Sequence, residues 1–84
     1  MNFGEAITRM KAGLAVARSG WNGKNMYIYL EENLFVKFGD GVFKGQTRNY
    51  EPVICMFTAQ GKHQPGWLAS QADMLAEDWE VVEL

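Results

Sequence analysis

Apolar residues recur along the first part of the chain with the period of an α-helix. The residues that share this helical face, at spacings of four, three and four, are Phe3, Ile7, Met10 and Leu14. Asn2 followed three positions later by Glu5 is typical of a capping box, and Gly13 is typical of a helix end. The pattern predicts a short amphipathic helix over residues 3–12, with its apolar face in the core.

The remaining chain is typical of short strands separated by polar turns. The predicted strands are residues 14–18, 26–30, 34–38, 42–44, 50–59 and 78–82. The first two form a hairpin with Trp21 at its turn, and 39–41 is a tight turn from which 42–44 pairs back. Residues 45–49 and 60–66 are predicted to be loops, because glycine and polar residues dominate them.

A second capping motif stands near the end of the chain. Ser70 and Asp73 have the spacing of an N-cap with its acidic partner, and Met74 and Leu75 are the predicted apolar side of the helix. The predicted fold is therefore α+β. It is a small, mostly antiparallel β-sheet domain over residues 1–84, with an N-terminal helix and a short helix near the C-terminus.

Alternation assigns faces to the strands. Tyr27 and Tyr29 share one face of their strand, and Trp79 and Val81 point inward from the last strand. Residues 53–57 are apolar at every position, which predicts burial on both faces. Two interpretations stand equally: this strand meets another subunit, or it lies centrally between a helix and the sheet.

Composition narrows the class of protein. The chain has 84 residues, a formal charge of −2 and one cysteine, so it forms no internal disulfide or thiolate zinc site. It lacks an apolar run that spans a membrane and the basic surface of a DNA-binding protein. We expect a reduced, cytoplasmic location. Eleven aromatic rings, 13% of the residues, remain to be explained.

The sequence gives little support for a catalytic function. His63, the single histidine, lies in a predicted loop where nothing fixes its geometry, and Cys55 lies within an apolar strand and is expected to be inert. Asp73 and Asp78 suggest paired acid–base carboxylates; the alternative is a helix cap at Asp73 and a turn at Asp78, and for Asp78 the turn is clearly preferred. No metal-ligand set, P-loop or cofactor motif is present, so we expect neither an enzyme nor a cofactor.

Binding is better supported. Trp21 lies in a glycine-flanked turn, where a tryptophan is more often a stacking surface or interface anchor than a core residue. The donors beside it are Arg18, Asn22, Lys24 and Asn25. Trp67 directly precedes the Ser70 cap, and Asp73 suits ribose hydroxyls. One interpretation is a site for a nucleotide-like ligand. The other, given equal weight, is that both tryptophans are plain core or subunit-contact residues.

Four ordered blocks carry a family resemblance. They are NFGEA (2–6), ARSGWNGK (17–24), MYIYL (26–30) and PGWLASQADMLAEDW (65–79). Together they resemble the phage-encoded Thoeris anti-defence protein 2 family over residues 1–30 and 50–84. Residues 31–49 match poorly.

The resemblance implies a molecular sponge. Such a protein binds the glycocyclic ADP-ribose signal of Thoeris defence without cleaving it, and some members hold CBASS cyclic dinucleotides or trinucleotides in a separate pocket. It also implies a homotetramer with pockets between subunits. The ligand residues carried over are Trp21, Asn22, Trp67, Ser70 and Asp73; charge and donor capacity add Arg18, Lys24 and Asn25. The rival functions are a small phosphodiesterase and a module that docks a host protein.

Overall fold

The computed structural model describes residues 1–84 and contains two helices and seven strands. The elements, in chain order, are α1 (Phe3–Lys11), β1 (Ala15–Arg18), β2 (Tyr27–Glu31), β3 (Phe35–Lys37), β4 (Thr47–Asn49), β5 (Val53–Phe57), β6 (His63–Pro65), α2 (Gln71–Leu75) and β7 (Trp79–Val82). The predicted α+β class is confirmed, with an N-terminal helix and a short helix near the C-terminus.

Five strands form the main sheet in the order β6-β5-β2-β1-β7, and β3 pairs only with β4 in a separate two-stranded sheet. Every pairing is antiparallel. The last strand, β7, returns to pair with β1, with Arg18 opposite Trp79. This return brings the C-terminal segment to the beginning of the loop that carries Trp21.

Helix α1 covers one face of the main sheet, the inner face. Its capping box is present as predicted: the Asn2 side chain accepts from the Glu5 N–H, and the Glu5 side chain accepts from the Asn2 N–H. Gly13, with φ of 90°, follows the helix end. The fully buried centre consists of Ala6, Met10, Val16, Ile28 and Trp79.

The opposite, outer face of the sheet has no helix over it. Cross-strand register places Tyr27 opposite Phe57 and Tyr29 opposite Cys55, and the first two rings stack at 4.9 Å and 14°. Only Cys55 among these four is buried. Strand β5 is thus covered on its Ile54 side by the core and on its other side by neighbouring rings alone, with no second layer.

The hairpin of β3 and β4 differs from the prediction. Strand β4 comes from residues 47–49, which were expected to be a loop, while residues 42–44 lie in the connecting turn. Phe43 folds back within 5.6 Å of Phe38, and the Arg48 guanidinium lies 4.0 Å from the Phe43 ring centre. These contacts hold Phe43 of the turn, while Val42 is 88% exposed, and strand pairing resumes only at Thr47.

The predicted loop at residues 60–66 contains an edge strand, β6. A turn at Gly61, with φ of 80°, reverses the chain, and Thr58 accepts hydrogen bonds from it. His63 then pairs opposite Phe57, and Pro65 is tolerated because its outer side has no partner strand. Polar composition concealed this strand, and the expectation that nothing fixes His63 was wrong.

The apolar side of α2 was also predicted wrongly. Met74 and Leu75 are 49% and 79% exposed, whereas Asp73 is the buried residue of that helix. On β7, Trp79 points inward as predicted, but Val81 is 40% exposed at the edge of the sheet. The C-terminal segment is therefore organised around a carboxylate and an indole rather than an aliphatic stripe.

Candidate functional site

Asp73 is the centre of a hydrogen-bond network beneath α2. Its Oδ1 accepts from Arg18 Nη1 at 2.9 Å and from Trp21 Nε1 at 3.2 Å, and its Oδ2 accepts from the Ser70 N–H at 3.1 Å. Ser70 Oγ in turn accepts from the Asp73 N–H, which completes the predicted capping box. The Trp79 Nε1–H donates to the Asp73 carbonyl at 2.9 Å.

Arg18 joins this network to a second carboxylate. Its Nε donates to Asp78 Oδ1 at 2.9 Å, while its Nη1 holds Asp73. Asp78 Oδ2 also accepts from the Gly20 N–H at 2.9 Å. One cation therefore faces two carboxylates, which leaves the cluster one negative charge and engages two of the five N–H groups of Arg18.

Three indoles and one phenyl ring pack together beside the network. Trp21 lies edge-to-face against Trp67 and Trp79, with ring centres 6.2 and 5.3 Å apart. Phe3 from α1 lies 5.2 Å from Trp79 and 6.3 Å from Trp67. Trp79 is buried, but Trp21 and Trp67 each keep an exposed part. We call these four residues the aromatic cluster.

The hydrogen bonds among Arg18, Asp73 and Asp78 determine the direction in which the pKa of each group shifts. Burial by itself raises the pKa of Asp73, but hydrogen bonds from Arg18, Trp21 and Ser70 outweigh it and hold that pKa below its usual value. The Arg18 hydrogen bond lowers the pKa of Asp78, and both carboxylates raise the pKa of Arg18. Lowered pKa values are the reverse of what a general acid needs, which weakens the paired-carboxylate interpretation.

Acid is expected to destabilise the fold. A carboxylate whose pKa is lower in the folded chain stabilises it above the unfolded-state pKa, about 3.9 for Asp, and this stabilisation is lost as pH falls through the folded value. Urea midpoints measured from pH 7 to pH 2.5 should hold until about pH 5 and then fall. The Asp78→Asn variant should show a shallower fall than Asp40→Asn. Equal slopes would contradict this assignment.

The structure brings some of the predicted site residues together and leaves others outside the network. Arg18, Trp21, Ser70 and Asp73 are joined by hydrogen bonds, and Trp67 packs against Trp21. The exposed polar residues of the Trp21 loop, whose side chains make no hydrogen bond or ion pair within the chain, are Asn22, Lys24 and Asn25. Their polar groups remain available to a ligand.

Trp21 is more enclosed than the sequence suggested. Its ring packs on Trp79, and its Nε1–H is directed at Asp73. The glycine-rich loop does not hold the ring in open solvent, because β7 and α2 supply partners from about fifty residues further along the chain. Trp21 therefore has a structural role, and only its remaining exposed part can meet a ligand.

A second group of polar side chains lies on the outer face. Tyr29 Oη and His63 Nδ1 are 2.5 Å apart, and burial raises the pKa of Tyr29 to about 12, aided by Cys55 and Glu31. Burial also raises the pKa of the Cys55 thiol, which keeps it protonated. His63 thus belongs to the opposite side of the sheet from Asp73.

An open groove of about 280 Å³ lies beside this tyrosine–histidine pair. Its lining residues are Gly13, Leu14, Ala15, Tyr27, Tyr29, Leu30, Glu31, His63 and Leu84. No group of three His, Cys, Asp or Glu residues is arranged to hold a metal ion. The helices are too short and too polar to cross a membrane.

Two features of these sites were missed from the sequence. The role of Asp78 as a partner of Arg18 depends on β7 pairing with β1, whereas the sequence pointed only to a turn residue or an acid–base carboxylate at this position. The Tyr29–His63 contact depends on β6, which was not predicted. In both cases the residue type gave a signal, but the partner lies across a strand pairing that local sequence does not reveal.

Comparison with known proteins identifies the family. Residues 1–82 match the family model of the Thoeris anti-defense 2-like domain. This protein belongs to the Thoeris anti-defense 2-like family. It is also similar to "Thoeris anti-defense 2" of Bacillus phage SP01, at 47% identity over 88 aligned positions that cover 98% of this chain and 94% of the phage protein. The resemblance in the sequence blocks is confirmed, and family membership supports a phage anti-Thoeris role.

Proposed function

We propose that this member of the Thoeris anti-defense 2-like family binds glycocyclic ADP-ribose and sequesters it without cleavage inside the infected host cell. The proposal rests on one geometric observation. Two partly exposed indoles, Trp21 and Trp67, are held in place beside a loop whose polar side chains are unused within the chain. Such an arrangement suits a ligand with a purine ring, ribose hydroxyls and phosphates.

The network supports the proposal by removing flexibility before the ligand arrives. Arg18, Ser70 and Asp73 hold Trp21 and the start of α2 together through hydrogen bonds of 2.9–3.2 Å. Ordering a loop during binding would cost free energy, so a loop that is already ordered leaves more for affinity. We infer that these residues act mainly as the frame of the site. Asp73 Oδ2 accepts one hydrogen bond within the chain and Oδ1 accepts two, so Oδ2 is the oxygen better able to accept another from a ligand.

An anionic ligand needs donors, and the available ones are limited. Arg18 Nη2 donates no hydrogen bond within the chain, although Nε and Nη1 are engaged. Lys24 is exposed and forms no ion pair. We propose that these two groups meet phosphate oxygens, and that Asn22 and Asn25 meet ribose or base edges.

Sequestration also requires tight binding. A sponge lowers the free signal only if its dissociation constant lies below the threshold of the effector, and a nanomolar constant corresponds to about 12 kcal/mol. An exposed loop alone falls short of this value, whereas a pocket enclosed by a neighbouring subunit can reach it. We therefore propose that the site is completed by another copy of the chain in a homotetramer.

A homotetramer needs more than one contact between copies, and the outer face of the sheet, on the opposite side from the Asp73 site, fits one of them. Tyr27, Tyr29 and Phe57 lie there without a covering helix. We expect Tyr27→Lys to shift the native mass spectrum towards smaller assemblies, because a charge inside an apolar contact is costly. Gln60→Lys, in an exposed turn, adds the same charge elsewhere and should leave the assembly unchanged. An unaltered mass for Tyr27→Lys would place the contact on another surface.

The direct test of sequestration is recovery of the ligand. The protein is incubated with glycocyclic ADP-ribose at equal concentration, and free ligand is then removed by filtration. Heat denaturation of the retained protein should release a ligand of unchanged mass and chromatographic mobility. A product of altered mass would support the phosphodiesterase instead, and no retained ligand would contradict the proposal.

Asn22 offers a binding test that does not disturb the fold. Its side chain is exposed and makes no hydrogen bond within the chain, so Asn22→Ala should leave the melting temperature unchanged. Loss of a ligand hydrogen bond worth about 0.5–1.5 kcal/mol should weaken binding roughly twofold to tenfold in calorimetry. Gln60→Ala serves as the surface control. Unchanged affinity in Asn22→Ala would remove this residue from the site.

A second function is favoured by apolar side chains around α2. Leu68, next to Trp67 in the chain, is 88% exposed and Leu75 of α2 is 79% exposed, which suits a protein-docking surface. A host-protein partner recovered at equal stoichiometry, together with no heat of binding for glycocyclic ADP-ribose, would favour this function.

The cyclic dinucleotides and trinucleotides of CBASS are further proposed ligands. They should be titrated against the protein in the same calorimetry experiments as glycocyclic ADP-ribose.

A further inference from the structure

Asp78 holds the turn that leads into Trp21. It accepts hydrogen bonds from three successive residues: Arg18 Nε and the Gly20 N–H reach its carboxylate, each at 2.9 Å, and the Ser19 N–H reaches its backbone carbonyl at 3.1 Å. The Trp21 N–H then donates to the Arg18 carbonyl at 3.2 Å, which closes the turn. The backbone on the N-terminal side of Trp21 is therefore fixed to β7.

The Trp21 ring is fixed by the other carboxylate. Its Nε1–H donates to Asp73 Oδ1, the same atom that accepts from Arg18 Nη1. Arg18 thus connects the carboxylate that holds the backbone to the carboxylate that holds the indole. Because Arg18 bridges the two carboxylates, a displacement of Asp78 is transmitted through Arg18 and Asp73 to the orientation of the ring.

A side chain at Gly20 would crowd the Asp78 carboxylate. A Cβ atom at this position would lie 2.7 Å from Asp78 Oδ2 and 3.7 Å from Arg18 Nη2. The backbone of Gly20 has no positive φ, so an alanine is conformationally acceptable and only the close approach of the carboxylate opposes it. The absent side chain lets Asp78 reach the Gly20 N–H.

We infer that Asp78 and Gly20 are positioning residues that set the orientation of the Trp21 indole and thereby the affinity of the site. This inference rests on the proposed function, in which Trp21 contacts the ligand, and it gives Asp78 a role that acts through the turn rather than through ligand contact. The physical basis is preorganisation: a ring already held in its binding orientation loses less conformational entropy when the ligand arrives.

The first test uses Asp78→Asn in the full chain. An asparagine keeps the shape but replaces one acceptor oxygen with a donor, so it cannot serve both Arg18 and Gly20. The indole Nε1–H signal of Trp21, assigned through Trp21→Phe, should shift or broaden in the ¹H–¹⁵N spectrum, and affinity for glycocyclic ADP-ribose should fall about tenfold. Glu80→Gln removes the same charge two residues away and should change neither quantity.

The second test is a double-mutant cycle. Gly20→Ala should displace the carboxylate and move the Trp21 indole signal in the same direction as Asp78→Ala. Once Asp78→Ala has removed the opposing oxygen, adding Gly20→Ala should cause little further change in signal or affinity. If the Asp78 variants fail to fold, the Trp21 indole signal and the affinity of Gly20→Ala alone still decide the inference.

The outcomes separate this inference from the proposed function. An unmoved Trp21 signal in Asp78→Asn and Gly20→Ala, additive effects in the cycle, or a moved signal with unchanged affinity would each overturn the positioning role. Absence of glycocyclic ADP-ribose binding by the unaltered protein would overturn the proposed function. The indole signals would then still decide whether Asp78 and Gly20 orient the ring.

Discussion

Trp79→Ala is expected to lower the free energy of unfolding by about 3–5 kcal/mol, the usual cost of deleting a large aromatic side chain from a core. Trp79 is 2% exposed and contacts Phe3, Trp21 and Trp67. Its Nε1–H also satisfies the carbonyl of Asp73. The substitution therefore leaves a cavity and removes one of the two hydrogen bonds to the Asp73 carbonyl, which still accepts from the Ala76 N–H at 3.4 Å.

This loss is large for so short a chain. Total stabilities of small domains are commonly about 5–15 kcal/mol, so Trp79→Ala should leave much of the protein unfolded at 37 °C. Urea denaturation followed by far-UV circular dichroism measures the change. Trp79→Phe keeps most of the ring volume and loses the hydrogen bond, so it should cost less, about 1–3 kcal/mol. A folded Trp79→Ala protein with an unchanged midpoint would show that the aromatic cluster does not stabilise the fold.

Asp73→Ala is expected to have the next largest effect, a loss of about 3 kcal/mol. The substitution removes the acceptor of Arg18, Trp21 and Ser70 at once. Arg18 keeps Asp78 as a partner and its own side chain is 20% exposed, so the cost stays below that of an isolated buried charge. The α2 cap loses one of its two reciprocal bonds as well.

Comparison of variants at Asp73 separates charge from shape. Asp73→Asn retains the volume and one acceptor, so it should lie between the unaltered protein and Asp73→Ala in urea midpoint at pH 7. At pH 2.5 the unaltered carboxylate is expected to lose much of its advantage, because its lowered pKa makes its stabilisation dependent on the ionised form. Asp40→Ala, in the exposed connection between β3 and β4, is the matched control. Equal midpoints for Asp73→Ala and Asp40→Ala would contradict the central role of this carboxylate.

The two capping boxes show what local sequence predicts well. In each, the partners stand three residues apart, so their contact depends only on the helix that they begin. The alternation that placed Tyr27 and Tyr29 on one face is similarly local, and β2 confirms it. These features required no knowledge of distant parts of the chain.

The candidate site was predictable in its residue types and only partly in its arrangement. Trp21, Trp67, Ser70 and Asp73 were identified from motifs and family blocks, and three of these four share the hydrogen-bond network. The sequence predicted Asp73 as the partner of a helix cap or as a ligand group, and it left a ligand role and a core or subunit-contact role of Trp21 equally open. The structure gives both a stabilising role, because their partners come from elements separated by about fifty residues.

The sequence by itself determined the α+β class, the two capped helices, the inward Trp79 and the family, because each depends on local periodicity or on ordered blocks of residues. Only the tertiary structure decided that Arg18 lies between two carboxylates, that β6 forms an edge strand and that the tyrosine face has no helix over it. The physical reason is that strand pairing and ion pairing join distant residues. Their partners are selected by the free energy of the whole fold and not by neighbours along the chain.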